Sequence, residues 1–497
     1  MGAGKRQIVL LMTDSTRQDM VSCYGNPDMR TPCLDALAER GVRYQNAYSC
    51  QPVCGPARSA LFTGIYPHSN GSFGNCIALG ANVKTIGQRL SDNGIRTAYV
   101  GKWHLDGGDY FGLGVCPEGW DPEYWYDMRN YLEELTEEER VASRQYETCR
   151  KGMEADFTFG YRCAQRAIDF LEKHGEEDFF LTVSLDEPHQ PMLCPEPYAS
   201  MFDGYEFPKS PNVWDTLEGK PQYQQIWAGR NRETDRDAVK IRVSGFLGCN
   251  SFADAQLGRV MESISKYAPD ALVIYTSDHG DALESHCLYA KGPVMYNEIA
   301  RVPLLIAGPG VPQGVVDEHP VSHINLPAMV MEYMGLPVPK CFEGKSLLEE
   351  VYHPEVRTNE YVVTEFTRYE IDHDGFGGIQ MMRAIFDGRY KLAVHLLDLV
   401  DEFYDQEQDP YEMKNLIWDE SCDQEKVRLH QMLLDWMNLT RDPFRGYQWK
   451  FRPWRKNLEN PTWDCDGYTR QRENEEYEPR QLDYSTGLPM KEAVRHK

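Results

Sequence analysis

Short apolar runs, rich in β-branched residues and closed by turn signals, recur along the first two thirds of the chain: Ile8–Met12, Thr97–Val100, Phe179–Leu185, Leu272–Tyr275 and Val302–Ile306. Their length and composition read as buried strands. Between them lie stretches of helical period, Thr31–Arg40, Thr85–Asn93, Phe157–Lys173 and Ala253–Tyr267. Strand alternating with helix predicts an α/β domain on a large, mostly parallel sheet, running to about Gly335. The pattern then changes. Tyr361–Phe366, Met381–Phe386 and Tyr390–Val394 read as strands of a smaller antiparallel sheet, and Glu425–Asn438 as a helix packed on it. Pro337, Pro339 and Gly344-Lys345 mark the change. From Arg441 the chain is rich in Arg, Pro, Trp and Tyr without periodicity, which reads as an irregular arm, with Glu473–Arg480 a solvated stretch. The expected division is residues 1–350 for the α/β domain, 351–440 for a C-terminal antiparallel-sheet subdomain and 441–497 for an arm wrapping the body.

Ligands of open α/β sheets bind beyond the carboxyl ends of the strands. Here four predicted strands run directly into unusual polar residues: Asp14-Ser15, Lys102-Trp103-His104, Glu187-Pro188-His189 and Asp278-His279. Each has a plain reading when taken singly. Asp14 would serve as a helix cap, Asp278-His279-Gly280 as a turn, and a lone histidine as a structural hydrogen bonder. What sets them apart is their common position after separate strands, which gathers them on one rim. Two carboxylates and an imidazole there suit a divalent cation.

Charge narrows the partners. Fifty-two basic residues face 77 acidic ones, a net charge of −25. Such a field repels nucleic acid and anionic membrane surfaces. No apolar run approaches the length of a membrane span, and the brief run after Lys5 and Arg6 lacks a signal-peptide core, so a cytoplasmic protein is expected. The 14 cysteines show no repeated spacing and no C-x-x-C pair. They read as buried thiols, not as a disulfide framework or zinc knuckle.

One segment is more specific: Cys50-Gln-Pro-Val-Cys54-Gly-Pro-Ala-Arg58, continuing through Leu61-Phe-Thr-Gly64. Pro56 suits the first turn of a helix. Cys54 then stands at the helix N-terminus, where free N–H groups and the dipole favour anionic groups, with Arg58 one turn on. By itself this is also compatible with a merely activated or buried cysteine. The segment resembles the signature of the formylglycine-dependent type I sulfatases, of the alkaline-phosphatase-like superfamily. The resemblance extends to Asp14, Tyr24-Gly25, Thr31-Pro32, Gly101-Lys-Trp-His104, Pro188-His189, Ser277-Asp-His-Gly280, Lys291, Arg301-Val-Pro-Leu304 and Val321-Ser-His-Ile324. Tyr404-Asp405, Asp409-Pro410 and Asn415-Leu416 resemble the family's C-terminal blocks. It covers roughly residues 6–440, and the whole chain looks most like a bacterial cytoplasmic branch.

The resemblance implies an alkaline-phosphatase-like sandwich with a small C-terminal antiparallel sheet, and hydrolysis of sulfate esters. It implies that a sulfatase-maturating enzyme oxidises Cys54 to formylglycine, whose hydrate is the nucleophile. It gives Asp14, Asp278, His279 and residue 54 as ligands of one divalent metal. Ser15 stands where many members carry a second Asp, and His279 where many carry Asn. Calcium is the family's usual metal; these two departures make magnesium or manganese credible. Arg58, Lys102 and Lys291 match the cations that balance the nucleophile and the sulfate. His104 matches the base that releases the sulfate, and His189 the acid that protonates the leaving oxygen. His286 and His323 are expected to orient neighbours.

A small sulfated saccharide, taken at its end, is the expected substrate, because a sulfated polymer would meet repulsion from the net charge along its length. Asp106 and Asp109, and Arg368, His373 and Asp374 in the glycine-containing 365–378 segment, are candidates for binding sugar hydroxyls; that segment also reads as a solvated hairpin. The aromatic stretch Phe444–Trp463 is expected either to wall the pocket or to pack on the body. Two other readings stand beside this one: a phosphonate monoester hydrolase or phosphodiesterase on the same scaffold, and a non-catalytic binding protein of this fold.

Overall fold

Every residue of Gln7–Thr13 is buried, which a strand achieves only inside a sheet covered on both faces. This is β1. The computed structural model describes residues 5–107, 110–206, 209–233, 235–370 and 378–456. Around β1 it places Gly41–Tyr48 (β2), Arg96–Gly101 (β3), Phe179–Ser184 (β4), Leu272–Ser277 (β5), Leu304–Ala307 (β6) and Val315–Ser322 (β7). Their order across the sheet is β3-β4-β1-β5-β6-β2-β7. Neighbours are parallel except at β6, which runs against both β5 and β2.

Alternate residues of β1 serve two cores. Val9 and Leu11 meet Phe170, Leu257 and Val260 on one face, while Ile8, Leu10 and Met12 meet Phe62, Met329 and Val330 on the other. Phe159–His174 and Arg236–Tyr267 cover the first face. The mostly parallel sandwich expected from the sequence is therefore present, with β2 and β7 added at one side. β7 holds Pro320 and lies at the sheet edge, where a missing N–H is tolerated.

The second sheet is antiparallel, in the order β11-β10-β9-β8: Val362–Arg368 (β8), Ile379–Phe386 (β9), Tyr390–His395 (β10) and Glu402–Asp405 (β11). Asp423–Leu439 packs on it through Leu429, Leu433 and Met437 against Val363, Ile385 and Leu392. Burial of such side chains contributes about 1.5–3 kcal/mol each. The start of the arm joins the same core through Trp449 and Trp454. Arg452 Nε and Trp454 Nε1 each donate to Asp401 Oδ2 at 2.7 Å, and Arg383 Nε donates to Asp442 Oδ2 at 2.7 Å. Phe444 sits edge-on to Phe73 at 6.0 Å. The described part of the arm thus packs on the body; Trp463 and Glu473–Arg480 lie outside the described residues.

Gly101, the last residue of β3, has φ +124°, and a Cβ there would lie 1.9 Å from the Ser184 carbonyl oxygen of β4. Backbone on an adjacent central strand cannot yield. Gly101→Ala is expected to destabilise the protein by roughly 3 kcal/mol or more. Because Lys102 follows directly, activity should fall with the thermal midpoint; an unchanged melting curve by calorimetry would contradict this packing.

Candidate active site

The helix Cys54–Thr63 is buried at every position. Its N-cap residue Val53 is extended and offers no capping side chain. The first free N–H groups must find other partners, and Gly55 N donates to Asn75 Oδ1 at 2.9 Å. This leaves the Cys54 side chain at the mouth of the helix, 1% exposed.

Around it stand the strand-end residues. Lys291 Nζ donates to Cys54 Sγ at 2.8 Å, His279 Nε2 is 3.2 Å from the sulfur, and Asp14 Oδ1 is 3.8 Å away. Burial and the Asp14 carboxylate push the thiol up, but Lys102, Lys291 and His279 outweigh them and hold it at about 5. Residue 54 therefore occupies a pocket that prefers negative charge.

Arg58 lies one turn along the same helix, fully buried. Its Nε donates to Asp278 Oδ2 at 3.0 Å and its Nη2 to Asp14 Oδ2 at 3.3 Å. Its Nη1 is held by the Lys102 carbonyl at 2.6 Å and Ser184 Oγ at 2.7 Å. Burial opposes its charge, but Asp278 leads the groups that hold the guanidinium charged. Lys102 Nζ bridges Asp14 Oδ2 at 2.8 Å and Asp186 Oδ1 at 2.9 Å, and burial is again outweighed, by Asp14 first.

The donor set fits a hard or borderline divalent cation. Ligand atoms of Asp14, Cys54, Asp278 and His279 all lie within 4.8 Å of one another, and all four residues are buried. His279 Nδ1 is 2.7 Å from the Gly280 carbonyl, which can only accept. That contact puts a proton on Nδ1 and turns Nε2 toward the carboxylates, 3.8 Å from Asp14 Oδ1 and 3.7 Å from Asp278 Oδ1, where it offers a lone pair when the ring is neutral; burial opposes the charged ring, but Asp278 leads the groups that raise its pKa. Burial and then the Asp14 charge push Asp278 up, whereas Lys102 and Lys291 overcome burial at Asp14 and hold it down. Carboxylates in mutual repulsion around an imidazole lone pair are what a cation would relieve.

Ser15, at φ 67°, donates its hydroxyl to Asp14 Oδ1 at 2.7 Å and its N–H to Asp278 Oδ1 at 3.1 Å. It ties the two carboxylates together. His104 also has positive φ, 58°, and its buried Nδ1 has no partner among the described residues. Burial, then Lys102 and Arg58, lowers its pKa to about 3. His189 is half-buried; its Nδ1 lies 2.9 Å from both the Gln190 carbonyl and the Tyr110 hydroxyl, and its ring stacks on Tyr110 at 5.2 Å.

The candidates for sugar contact are less gathered. Asp106 accepts from Leu113 N at 2.7 Å and so holds its own loop. Arg368 ends β8, with its carbonyl 3.4 Å from Gln51 Nε2. Asp109, His373 and Asp374 lie outside the described residues. Of the weaker histidines, His323 Nε2 is 3.2 Å from Thr276 Oγ1 behind Asp278, and His286 pairs with Asp215 at 2.6 Å.

Three residues of the cluster escaped the sequence reading. Asp186 pairs with Lys102, Tyr110 joins Asp186 Oδ1 at 2.6 Å to His189, and Asn75 caps the Cys54 helix. Asp186 had a signal, since it follows β4 as His189 does. Tyr110 and Asn75 come from loops without one.

The sulfatase family profile matches residues 6–336, the span that carries the whole cluster. The chain belongs to the sulfatase family. It is a sulfuric ester hydrolase, and a second profile, that of the C-terminal part of N-sulphoglucosamine sulphohydrolase, matches residues 284–438. This sulfatase is 40% identical to the sulfatase YidJ of Escherichia coli (strain K12) over 489 residues, covering 97% of this chain and 96% of that one. Among solved structures it resembles a protein in complex with its substrate D-glucosamine-2-N,6-O-disulfate, with TM-score 0.73, 20% identity, and 89% and 99% of the two chains covered. The fold of the phosphonate monoester hydrolase of Agrobacterium radiobacter is similar too, with TM-score 0.72, 21% identity, and 88% and 96% covered. No helix among the described residues is long and apolar enough to cross a membrane.

Proposed function

We propose that this sulfatase hydrolyses sulfate esters of small carbohydrates at the end of the saccharide. Residue 54 acts as formylglycine, formed from Cys54 by a sulfatase-maturating enzyme. One divalent cation, calcium by the family's habit with magnesium or manganese as alternatives, is held by Asp14, Asp278, His279 and residue 54, with Ser15 beside them. The observation that carries this reading is the position of Cys54, buried at a helix mouth between Lys291 on one side and His279 and Asp14 on the other. When present, the cation supplies Lewis-acid polarisation of the sulfuryl oxygens, and the hydrated aldehyde supplies a nucleophilic oxygen with a second hydroxyl beside it.

The chain's own residues do the rest. Lys102 and Lys291 hold the sulfate charge in a site closed to solvent, where fixed cations act strongly. Arg58 holds Asp14 and Asp278 in place. His104, kept neutral by its low pKa and with Nδ1 unspent, accepts the proton from the hydroxyl at position 54. His189 presents Nδ1 to the Gln190 carbonyl, which leaves Nε2 to pass a proton to the departing alcohol. Burial, then Lys102 and Lys291, lowers its pKa; the negative charge of a bound sulfate ester opposes those lysines and favours the protonated ring that this role needs.

The sugar reading has three supports. The structural relative is described with a sulfated glucosamine. A groove of about 720 Å³ opens beside His189, lined in part by Tyr110, Phe111, Tyr131 and Tyr146, and aromatic rings suit sugar faces. The net charge of −25 disfavours long polyanions. Arg368 and Asp106, with Asp109, His373 and Asp374, remain the candidates for hydroxyl recognition. A cytoplasmic location is part of the same proposal.

The test compares kcat/KM for one sulfated sugar as a monosaccharide, as the end of an oligosaccharide and within a polymer, at fixed salt, alongside a phosphonate monoester and a phosphate diester. Preference for the two short sulfates is expected. A clear preference for internal polymer sulfates overturns the end-on reading, and preference for the phosphorus esters overturns the sulfate reading.

A further inference from the structure

Away from the catalytic cluster, β7 and the short helix Leu348–Tyr352 enclose a second group of ligating side chains, Asp317, His319 and Glu350. Asp317 is 3% exposed and Glu350 0%. Asp317, third in its strand, lies five residues before Ser322, the end nearer the active site, so about 16 Å of strand separates the two regions.

His319 Nδ1 lies 3.1 Å from Asp317 Oδ1 and 4.0 Å from Glu350 Oε1, and the ligand atoms of all three residues lie within 4.8 Å of one another. One side of each carboxylate is satisfied by backbone: His319 N donates to Asp317 Oδ1 at 2.8 Å, and Thr358 N to Glu350 Oε2 at 2.6 Å. The other side is not. Asp317 Oδ2, Glu350 Oε1 and His319 Nδ1 have no hydrogen-bond partner among the described residues. Although His319 Nδ1 is within hydrogen-bonding distance of Asp317, its geometry makes no hydrogen bond. The atoms stand side by side, as two ligands of one ion do.

Tyr44 adds a separate observation. It is opposite Asp317 in the β2/β7 register, so the two side chains leave the sheet on the same face. It is fully buried, and its hydroxyl also has no partner. Burial, then Glu350 and Asp317, raises its pKa, which places the hydroxyl within their field. No lysine or arginine among the described residues pairs with either carboxylate. Burying two carboxylates without counter-charge costs several kcal/mol per ion, and positive charge is what this group lacks. Burial and Glu350 also push Asp317 up to about 6 against its backbone and His319 contacts.

We infer that Asp317, His319 and Glu350 form a second divalent-cation site, for zinc or manganese, that clamps edge strand β7 to the Leu348–Tyr352 helix. Imidazole with two carboxylates favours such metals over calcium or magnesium. The His319 side chain is 28% exposed, which provides an entry path and room for water ligands.

The experiment uses the full-length protein. Wild type, Glu350→Gln and His319→Ala are each incubated with zinc or with manganese, freed of excess metal and submitted to elemental analysis and thermal melting. Wild type is expected to retain one more equivalent of metal than either variant, and to gain about 2 °C or more in midpoint from that metal while the variants do not. Sulfate release should be unchanged in the variants. Equal metal content in wild type and both variants overturns the site, including the case in which Asp317 and Glu350 merely share a proton. If Glu350→Gln does not fold, His319→Ala, at the rim, decides alone.

Discussion

Cys54→Ala is expected to abolish turnover, by on the order of 10⁴-fold or more, with circular dichroism and melting close to wild type. The effect is this large because Lys291, His279 and Asp14 all converge on the one side chain. Loss of the sulfur leaves the scaffold with a small cavity, since the helix is anchored elsewhere by Arg58 and the Gly55–Asn75 hydrogen bond. The accompanying chemical signature is an aldehyde in place of the thiol in the peptide containing residue 54, read by mass spectrometry on protein from a host with a maturase. Full activity in a preparation that holds only the thiol would refute the mechanism.

Asp278→Ala is expected to lose metal and activity together. Asp278 contributes one of the two carboxylates among the four candidate ligands and shares Arg58 with Asp14. Its removal takes away half the anionic charge offered to a cation, and leaves Arg58 with a single 3.3 Å ion pair. Breaking a buried pair on one side costs about 3–5 kcal/mol, so the thermal midpoint should drop as well. Asp278→Asn, which keeps shape and most contacts, separates the effects: metal content falls with little loss of fold. Undiminished metal by elemental analysis in both variants would sink the ligand assignment. Dialysis of the wild type against a chelator, followed by return of calcium, magnesium or manganese, ranks the three metals by recovered rate.

The parallel sheet was legible because β1, β3, β4 and β5 are buried on both faces and so read as unbroken apolar runs. β2 and β7 escaped for the converse reason. β2 interleaves Arg43, Gln45 and Asn46 with its apolar residues, and β7 lies at the edge with Asp317, Glu318, His319 and Pro320 in its middle. β11, only Glu402–Asp405, is too short for a period to show. The long helix was seen only from Ala253, although it starts at Arg236, because its first turns carry polar residues and Gly245. At the site, residues within the first five positions after strands were visible from their position alone: Asp14, Lys102, His189, Asp278. Residues that act through another, such as Tyr110 between Asp186 and His189, have no pattern of their own. Only the tertiary fold brings them in.

The concealment of Cys54 bears on when the protein can become active. With 1% of the residue exposed, and every position of its helix buried, no second enzyme can grasp the chain around the sulfur once folding is complete. On the proposed formylglycine mechanism, oxidation then has to happen while residues 50–58 are still extended, during or just after synthesis. On that proposal the active fraction of a preparation is set at birth, by a race between the maturase and collapse of the helix into the sheet. Strong overexpression would fill the cell with molecules that are correctly folded, stable and permanently silent. Their thiol would survive every later purification step, and only unfolding in the presence of the maturase would reopen the choice.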